Sequence, residues 1–271
     1  MDWKAAVATA LPPRLRPLLP AGYQRVGDIV LVQLPRELRP YRAAVGKALL
    51  RSLHAQAVYA QGPVQGELRT PRVELLASHG SRTIHQEHGV RFSVDVTKVM
   101  FSAGNLAERA RLTAKPGETV ADLFAGIGYF SLGIARREPA CRVVAVEKNP
   151  AAARLLRENV RLNKLGNVEV LEGDCRLLAG EAWADRVLMG YFPGTERFLP
   201  TAFRIARDGA VIHFHNRYPE ADLWAAPHAH LQTAARRAGC RTTVLDKRIV
   251  KSLSPAFVHA VMDVRVMKKG K

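Results

Sequence analysis

The sequence has little cysteine, much less acid than base, and no long apolar run. Its three cysteines, Cys141, Cys175 and Cys240, lie far apart, are odd in number and form no Cys-x-x-Cys pair. That excludes a disulfide framework and a cysteine zinc cluster, and points to a reducing compartment. No apolar stretch reaches the roughly 18 residues that a membrane span requires. The N-terminal stretch MDWKAAVATALPPRLRPLLP lacks a long apolar core and is interrupted by Pro12, Pro13 and Pro17, so no secretory signal is expected. Internal repeats and low-complexity tracts are missing too. His213-x-His215 and His228-x-His230 have no carboxylate or cysteine at ligand spacing, so no metal site is expected. These absences together lead us to expect a cytoplasmic protein without a membrane association.

What is present is an ordinary folded composition. The chain has 271 residues, 48% hydrophobic and 24% charged, enough for one large domain or two modest ones. Lys and Arg number 41 against 24 Asp and Glu, a formal charge of +17, and 30 of the 41 bases are Arg. A surplus of this size suits a polyanionic partner, nucleic acid first and an anionic membrane surface second. The arginine fork binds two phosphate oxygens at once.

Two rhythms divide the chain. Residues 1–88 read as a small α+β domain. It has a proline-interrupted entry, a strand over Val26–Leu34 ended by Pro35, and helical spacing across residues 40–53. Short strands follow at Ala57–Ala60, around Arg72–Ala77 and at Val90–Val96. Residues 89–271 form the second domain, and from about residue 104 strands and helices alternate. Strands are expected at Thr119–Phe124, Arg142–Glu147, Asn167–Leu171, Ala184–Met189 and Ala210–Phe214. Helices are expected at Tyr129–Arg136, Pro150–Lys164 with Asn149 as N-cap, Glu196–Ala206 and Asp222–Ala238. Thr242–Val250 and Ala256–Val266 close the chain as an antiparallel edge. This alternation gives an α/β fold with a doubly wound, mostly parallel sheet.

The sharpest motif is Asp122-Leu-Phe-Ala-Gly126-Ile-Gly128-Tyr-Phe-Ser131, a buried strand that runs into a Gly-x-Gly turn and a helix. Glycines there let backbone pass close to a ligand. Ser131 stands where a dinucleotide-binding loop has its third glycine, which disfavours a pyrophosphate and a nicotinamide oxidoreductase. Glu147 ends the next strand, where an acid accepts from ribose hydroxyls. Gly173-Asp174 follows the third strand, where an acid accepts from an adenine amino group. Three acids at three successive strand ends suit S-adenosylmethionine, which carries a ribose, an adenine, an ammonium and a sulfonium but no phosphate.

These blocks, with Glu147-Lys-Asn-Pro, Leu156-Arg-Glu-Asn-Val-Arg-Leu-Asn163 and Gly173-Asp174, resemble the class I methyltransferase (Rossmann-like) fold. They are similar in particular to a family with two tRNA enzymes of archaea and eukaryotes, the guanine-37 N1-methyltransferase and the wybutosine-pathway aminocarboxypropyltransferase. The likeness runs upstream through Val94-Asp-Val-Thr-Lys-Val-Met100-Phe-Ser-Ala-Gly-Asn-Leu-Ala-Glu108-Arg109, and downstream to Val250-Lys-Ser-Leu-Ser-Pro255, His259 and Asp263. Met100-Phe-Ser-x-Gly-Asn resembles the aminocarboxypropyltransferase. So does Met189-Gly-Tyr-Phe-Pro193, where Gly190 replaces the Asn of the methyltransferase motif. The large extra N-terminal domain of the methyltransferase is not recognised in the sequence. Cys175 stands where the transferase often has Asn.

The resemblance implies transfer of the 3-amino-3-carboxypropyl group of S-adenosylmethionine to a wyosine-type guanosine (4-demethylwyosine) at position 37 of tRNA-Phe. Methylthioadenosine is then released, and no metal is needed. It implies Ser102, Arg109, Asp122, Gly126, Gly128, Glu147, Asp174 and Cys175 as cofactor contacts. Arg109 is apt for the carboxylate of the methionine arm. No catalytic base is assigned, and Tyr191, Phe192 and Pro193 are candidates for positioning the acceptor. Tyr129, Tyr191 and Phe192 are also candidates for stacking on a base, and His215, Asn216 and Tyr218 for a substrate-side loop. Arg236, Arg237, Arg241, Lys247, Arg248 and Lys251 form a basic stretch. The expected partner is tRNA, placed with help from the N-terminal domain, with no obligate protein partner. Methyl transfer, or binding of cofactor or RNA without turnover, remain the alternatives.

Overall fold

The computed structural model describes residues 2–268. Contacts divide it into two compact units, Met1–Ala103 and Gly104–Lys271. The boundary expected at residue 88 lies in the turn of a hairpin in the first unit.

The first unit begins with α1 (Trp3–Thr9), capped by the Asp2 carboxylate, which accepts from the Lys4 amide at 2.9 Å. β1 (Tyr23–Val26) and β2 (Ile29–Val32) follow, then α2 (Arg42–Ser52), β3 (Ala57–Gln61) and β4 (Val73–Ser78). They form one sheet in the order β1-β2-β3-β4, with β2 and β3 parallel. Val7, Val30, Val45, Leu49, Val58 and Leu76 pack its core. A single strand was expected over Val26–Leu34. The chain turns at Gly27 instead, with φ +54°, where an added Cβ would lie 2.5 Å from the Ile84 carbonyl oxygen. β5 (Arg82–Glu87), not foreseen, pairs with β6 (Val90–Asp95) across a two-residue turn. Both turn residues, His88 and Gly89, have positive φ, the geometry that matches strand twist in a tight hairpin.

The second unit contains α3 (Leu106–Arg111), β7 (Thr119–Asp122), α4 (Ser131–Arg137), β8 (Arg142–Glu147), α5 (Pro150–Leu162) and β9 (Val168–Glu172). β10 (Ala184–Met189), α6 (Leu199–Ile205), β11 (Ala206–Pro219), α7 (Ala225–Arg237), β12 (Cys240–Ser254) and β13 (Phe257–Lys268) complete it. The seven strands are ordered β12-β13-β11-β10-β7-β8-β9. β9, β8, β7, β10 and β11 run parallel, and β13 and β12 are antiparallel additions at the edge. Val120, Val143 and Leu188 face Phe130 and Ile134 on one side of the sheet. Their neighbours Ala121, Val144 and Met189 join Phe203 and Leu231 on the other. Burial of alternate residues on opposite faces is the signature of a sheet covered by helices on both sides. The expected doubly wound fold is therefore present.

Several bounds differ from the sequence reading. β11 runs on to Pro219, so His215, Asn216 and Tyr218 lie inside a strand rather than in a loop after it. The partner strand explains the extension: β13 pairs with it from Val211 opposite Arg265 to Pro219 opposite Phe257. α7 starts at Ala225, which puts Pro227 in the first turn where its missing N–H costs nothing. Asn149 does cap α5, accepting from the Ala151 amide at 3.0 Å.

Candidate functional site

The chain moves outward from β7 to β8 and β9, then crosses back to β10 and β11 on the other side of β7. The reversal opens a crevice at the carboxyl ends of β7, β8 and β10, the place where such sheets bind ligands. The loop from Leu123 to Phe130 lies there. Gly126 (φ +58°) and Gly128 (φ +103°) hold backbone shapes that a side chain resists. A Cβ on Gly126 would come within 2.5 Å of the Tyr129 ring, and one on Gly128 within 2.4 Å of Leu132.

Carboxylates from two strand ends hold this loop. Glu147 accepts from the Gly126 amide and the Asn149 amide, each at 2.7 Å. Burial raises its pKa, and the amides of Asn149, Gly126 and Lys148 oppose that rise. Asp122 is fully buried and accepts from the Ser131 hydroxyl at 2.6 Å and the Phe124 amide at 3.3 Å. Burial pushes its carboxyl up to about 6 against those two bonds, with help from the nearby Glu147 charge. Ser131, the residue at the third-glycine position, is therefore turned inward toward Asp122. α5 secures the same loop, since Asn159 donates to the Ile127 carbonyl at 3.0 Å.

Asp174 stands beyond β9, and the Gly173 amide donates to the Glu147 carbonyl at 2.9 Å. Its carboxylate takes Arg176 at 2.6 Å and 2.9 Å and Lys148 at 3.2 Å. The Arg176 hydrogen bond, above all, holds it well below the usual carboxylate range. Cys175 is buried, and its thiol is pushed up to about 12 by that burial and by Asp174. Arg109 is buried on α3, its guanidinium 4.9 Å from the centre of the Tyr129 ring. Ser102 belongs to the first unit.

The loop after β10 supplies the aromatic candidates. Tyr191 stacks on Phe124 at 5.1 Å. Phe192 precedes Pro193 through a cis peptide bond, and its ring lies 4.4 Å from that of His259. At Gly190 an added Cβ would meet the Phe130 ring at 2.6 Å. Gly194 donates its amide to Asn216 at 3.3 Å, and Asn216 donates to Glu196 at 2.7 Å.

Asp122, Gly126, Gly128 and Glu147 thus share one bonded loop, with Asp174 and Cys175 at the adjoining strand end. Tyr191 stands against the same loop through Phe124. Sequence reading missed Phe124, Asn159 and the cations on Asp174, although Lys148 and Arg176 flank the motifs directly. It also missed a chain of buried and half-buried ionic residues behind the crevice. Glu118 binds Arg186, which reaches His213 at 2.7 Å, and His213 bonds Asp263 at 2.7 Å. Asp263 takes Arg248 at 3.0 Å, and Arg248 grips Glu108 at 2.5 Å and 2.7 Å. Among the described residues no group of His, Cys, Asp and Glu is arranged to hold a metal ion, and no helix is long and apolar enough to cross a membrane.

The chain resembles known proteins over most of its length. The chain is 40% identical over 261 residues to the tRNA(Phe) (4-demethylwyosine(37)-C(7)) aminocarboxypropyltransferase of Pyrococcus horikoshii, covering 95% of this chain and 94% of that one. The crystal structure of P. horikoshii TYW2 in complex with MeSAdo superposes with a TM-score of 0.87 at 36% identity, over 98% of each chain. The tRNA (guanine(37)-N(1))-methyltransferase Trm5b of Pyrococcus abyssi is 35% identical, over 94% of this chain and 78% of that one. The TYW2 N-terminal domain matches residues 4–83, and the TRM5/TYW2 methyltransferase domain matches residues 83–244. With more than half of its length in the second of these domains, this chain belongs to the TRM5/TYW2 family.

Proposed function

We propose that this protein transfers the 3-amino-3-carboxypropyl group of S-adenosylmethionine to carbon 7 of 4-demethylwyosine at position 37 of tRNA(Phe), releasing methylthioadenosine. The observation that carries this reading is the end-to-end likeness to an enzyme of that name, 40% identical over 95% of this chain. The crevice suits the cofactor. It offers carboxylates rather than phosphate donors, and the serine at the third-glycine position is committed to Asp122.

When bound, the sulfonium makes its three attached carbons electrophilic. Which one reacts is decided by which faces the nucleophile, so binding geometry selects the product. In our reading Glu147 takes the ribose hydroxyls, and Asp174 with Cys175 takes the adenine edge. Arg109 holds the methionine arm. Asp122, through Ser131, keeps Gly126 and Gly128 in the shape that admits the nucleoside. Tyr191, Phe192 and Pro193 position the acceptor base. The N-terminal unit helps to place the tRNA, and the +17 charge of the chain suits that partner. The reaction takes place in the cytoplasm.

The test is direct. Protein incubated with labelled S-adenosylmethionine and tRNA(Phe) carrying 4-demethylwyosine should release methylthioadenosine. Release of S-adenosylhomocysteine would instead assign methyl transfer, the activity named for the P. abyssi relative.

A further inference from the structure

The transfer described above must dispose of one proton. The π pair of the acceptor carbon forms the new C–C bond to the γ-carbon of the methionine arm. The C–S pair goes to sulfur and neutralises the sulfonium. The acceptor carbon then still carries its hydrogen, and the ring recovers its π pair only when that proton leaves to a base.

The acids around the crevice are poorly disposed to take it. Asp122 accepts from Ser131 and Phe124, and Glu147 from two amides. Asp174 is held by two cations. Glu196 holds the Asn216 amide. The buried Cys175 thiol is not ionised near neutral pH, and the Tyr218 phenol is raised by burial. His213 is tied between Asp263 and Arg186, and His230 to Tyr218.

Two imidazoles remain. His215 on β11 and His259 on β13 are 1% and 0% exposed. His215 Nδ1 and His259 Nε2 share a hydrogen at 3.2 Å. The outer nitrogens, His215 Nε2 and His259 Nδ1, are buried and have no hydrogen-bond partner among the described residues. A buried polar atom left in that state costs about 1–3 kcal/mol, so its presence calls for a use. The pair adjoins the crevice. β10 ends at Met189 opposite Phe214, so His215 lies one residue past the end of that strand. Its ring is 5.4 Å from Phe130 of the glycine loop, and the His259 ring is 4.4 Å from Phe192 of the loop after β10.

We propose that the His215–His259 pair takes up the proton released at the acceptor carbon and relays it through the domain. His259 accepts at Nδ1 and passes its Nε2 proton to His215 Nδ1, and a water molecule takes the His215 Nε2 proton and returns it to solvent. Each ring gains one proton and loses one, so both end neutral. Burial, and then the Lys251 charge, hold His259 near 4, so it is neutral and able to accept at physiological pH. This inference rests on the aminocarboxypropyl reading.

The test uses His259→Gln and His215→Asn, which retain hydrogen-bonding groups of similar reach, and acceptor tRNA with hydrogen or deuterium at carbon 7. Wild-type protein should release methylthioadenosine at the same single-turnover rate with either isotope. Both variants should bind S-adenosylmethionine with unchanged affinity by calorimetry and melt as wild type does. Their rate should fall by about a hundredfold, and deuterium should slow it further. Variants that react at the wild-type rate overturn the proposal. So do variants slowed equally with both isotopes, since a structural lesion is blind to deuterium. If wild-type protein releases no methylthioadenosine at all, the reading beneath the proposal fails and the proposal fails with it.

Discussion

The two halves of the seven-stranded sheet use polar residues in opposite ways. Toward β7, β8 and β9 they gather at strand ends and bind backbone, as Glu147 does with the Gly126 and Asn149 amides. Toward β11, β13 and β12 they bind one another across strands, inside the domain. There opposite charges pair, Glu118 with Arg186 and both Asp263 and Glu108 with Arg248, and His213 bridges Arg186 to Asp263. The first arrangement leaves a shaped rim for a ligand. The second is a brace, because each ion sits between neighbours of opposite sign or matching hydrogen-bonding role. Glu108 shows the balance: burial would raise its carboxyl, but the hydrogen bonds of Arg248 and Arg111 outweigh it and hold it near 2.

Breaking the brace should have the largest effect on stability. Arg248→Met removes the cation that Glu108 and Asp263 share and leaves the two buried carboxylates only Arg111 and His213. The expected loss is about 3–5 kcal/mol, read from urea denaturation. A loss under about 1 kcal/mol would mean that the chain of ions is no brace and that the two halves do not differ in this way.

The histidine pair sharpens the contrast through pH. His259 has a pKa near 4 in the folded protein, below its ordinary value of 6.5. Between those values the unfolded chain binds a proton there that the folded chain refuses. This group's stabilisation is therefore complete above pH 6.5 and fades as the pH falls toward 4. Asp122, raised to about 6, has the opposite slope, so the single group must be read by difference. Against His259→Gln, the relative stability of wild type should fall by about 3 kcal/mol between pH 7 and pH 4. A difference that does not change with pH would place the imidazole in a wetter setting than its burial indicates.

At the rim the measured quantity changes from stability to binding. Glu147→Ala deletes the acceptor of two backbone amides and, in our reading, of the ribose hydroxyls. S-adenosylmethionine affinity should fall by about tenfold or more, the worth of one or two hydrogen bonds to a charged group. Calorimetry that finds the affinity unchanged would strip Glu147 of the ribose role and leave it only the loop.

The same contrast explains what sequence reading reached. The rim is written in consecutive residues, a buried strand that meets Gly126 and Gly128, an acid that ends the next strand, and Asn149 before Pro150. Local patterning suffices to find such segments. The brace joins Glu108 to Arg248 across 140 positions, and no local window holds both. β11 was read short for a related reason. Its His213-Phe-His-Asn-Arg-Tyr run looks polar, and only the pairing with β13 buries His213, His215 and Asn216. The break at Gly27 depended on the approach of Ile84, which lies on a strand not recognised beforehand. Residues expected in the crevice were therefore found together at β7 and β8, while the histidine pair emerged only with the sheet order.

The smallest effect belongs to the ion pair between Lys148 and Asp174. Its chemistry matches that of Arg248 and Glu108, a cation on a carboxylate, but its setting does not. The Lys148 side chain is 41% exposed, and Arg176 also holds Asp174. Water screens the attraction, and the lysine loses rotamer freedom in making it. Lys148→Ala should therefore shift stability by less than about 1 kcal/mol, a shift that moderate salt reduces further. The comparison turns on this pair. If its removal cost as much as Arg248→Met, exposure would not govern the strength of these contacts, and the rim would be a brace in its own right.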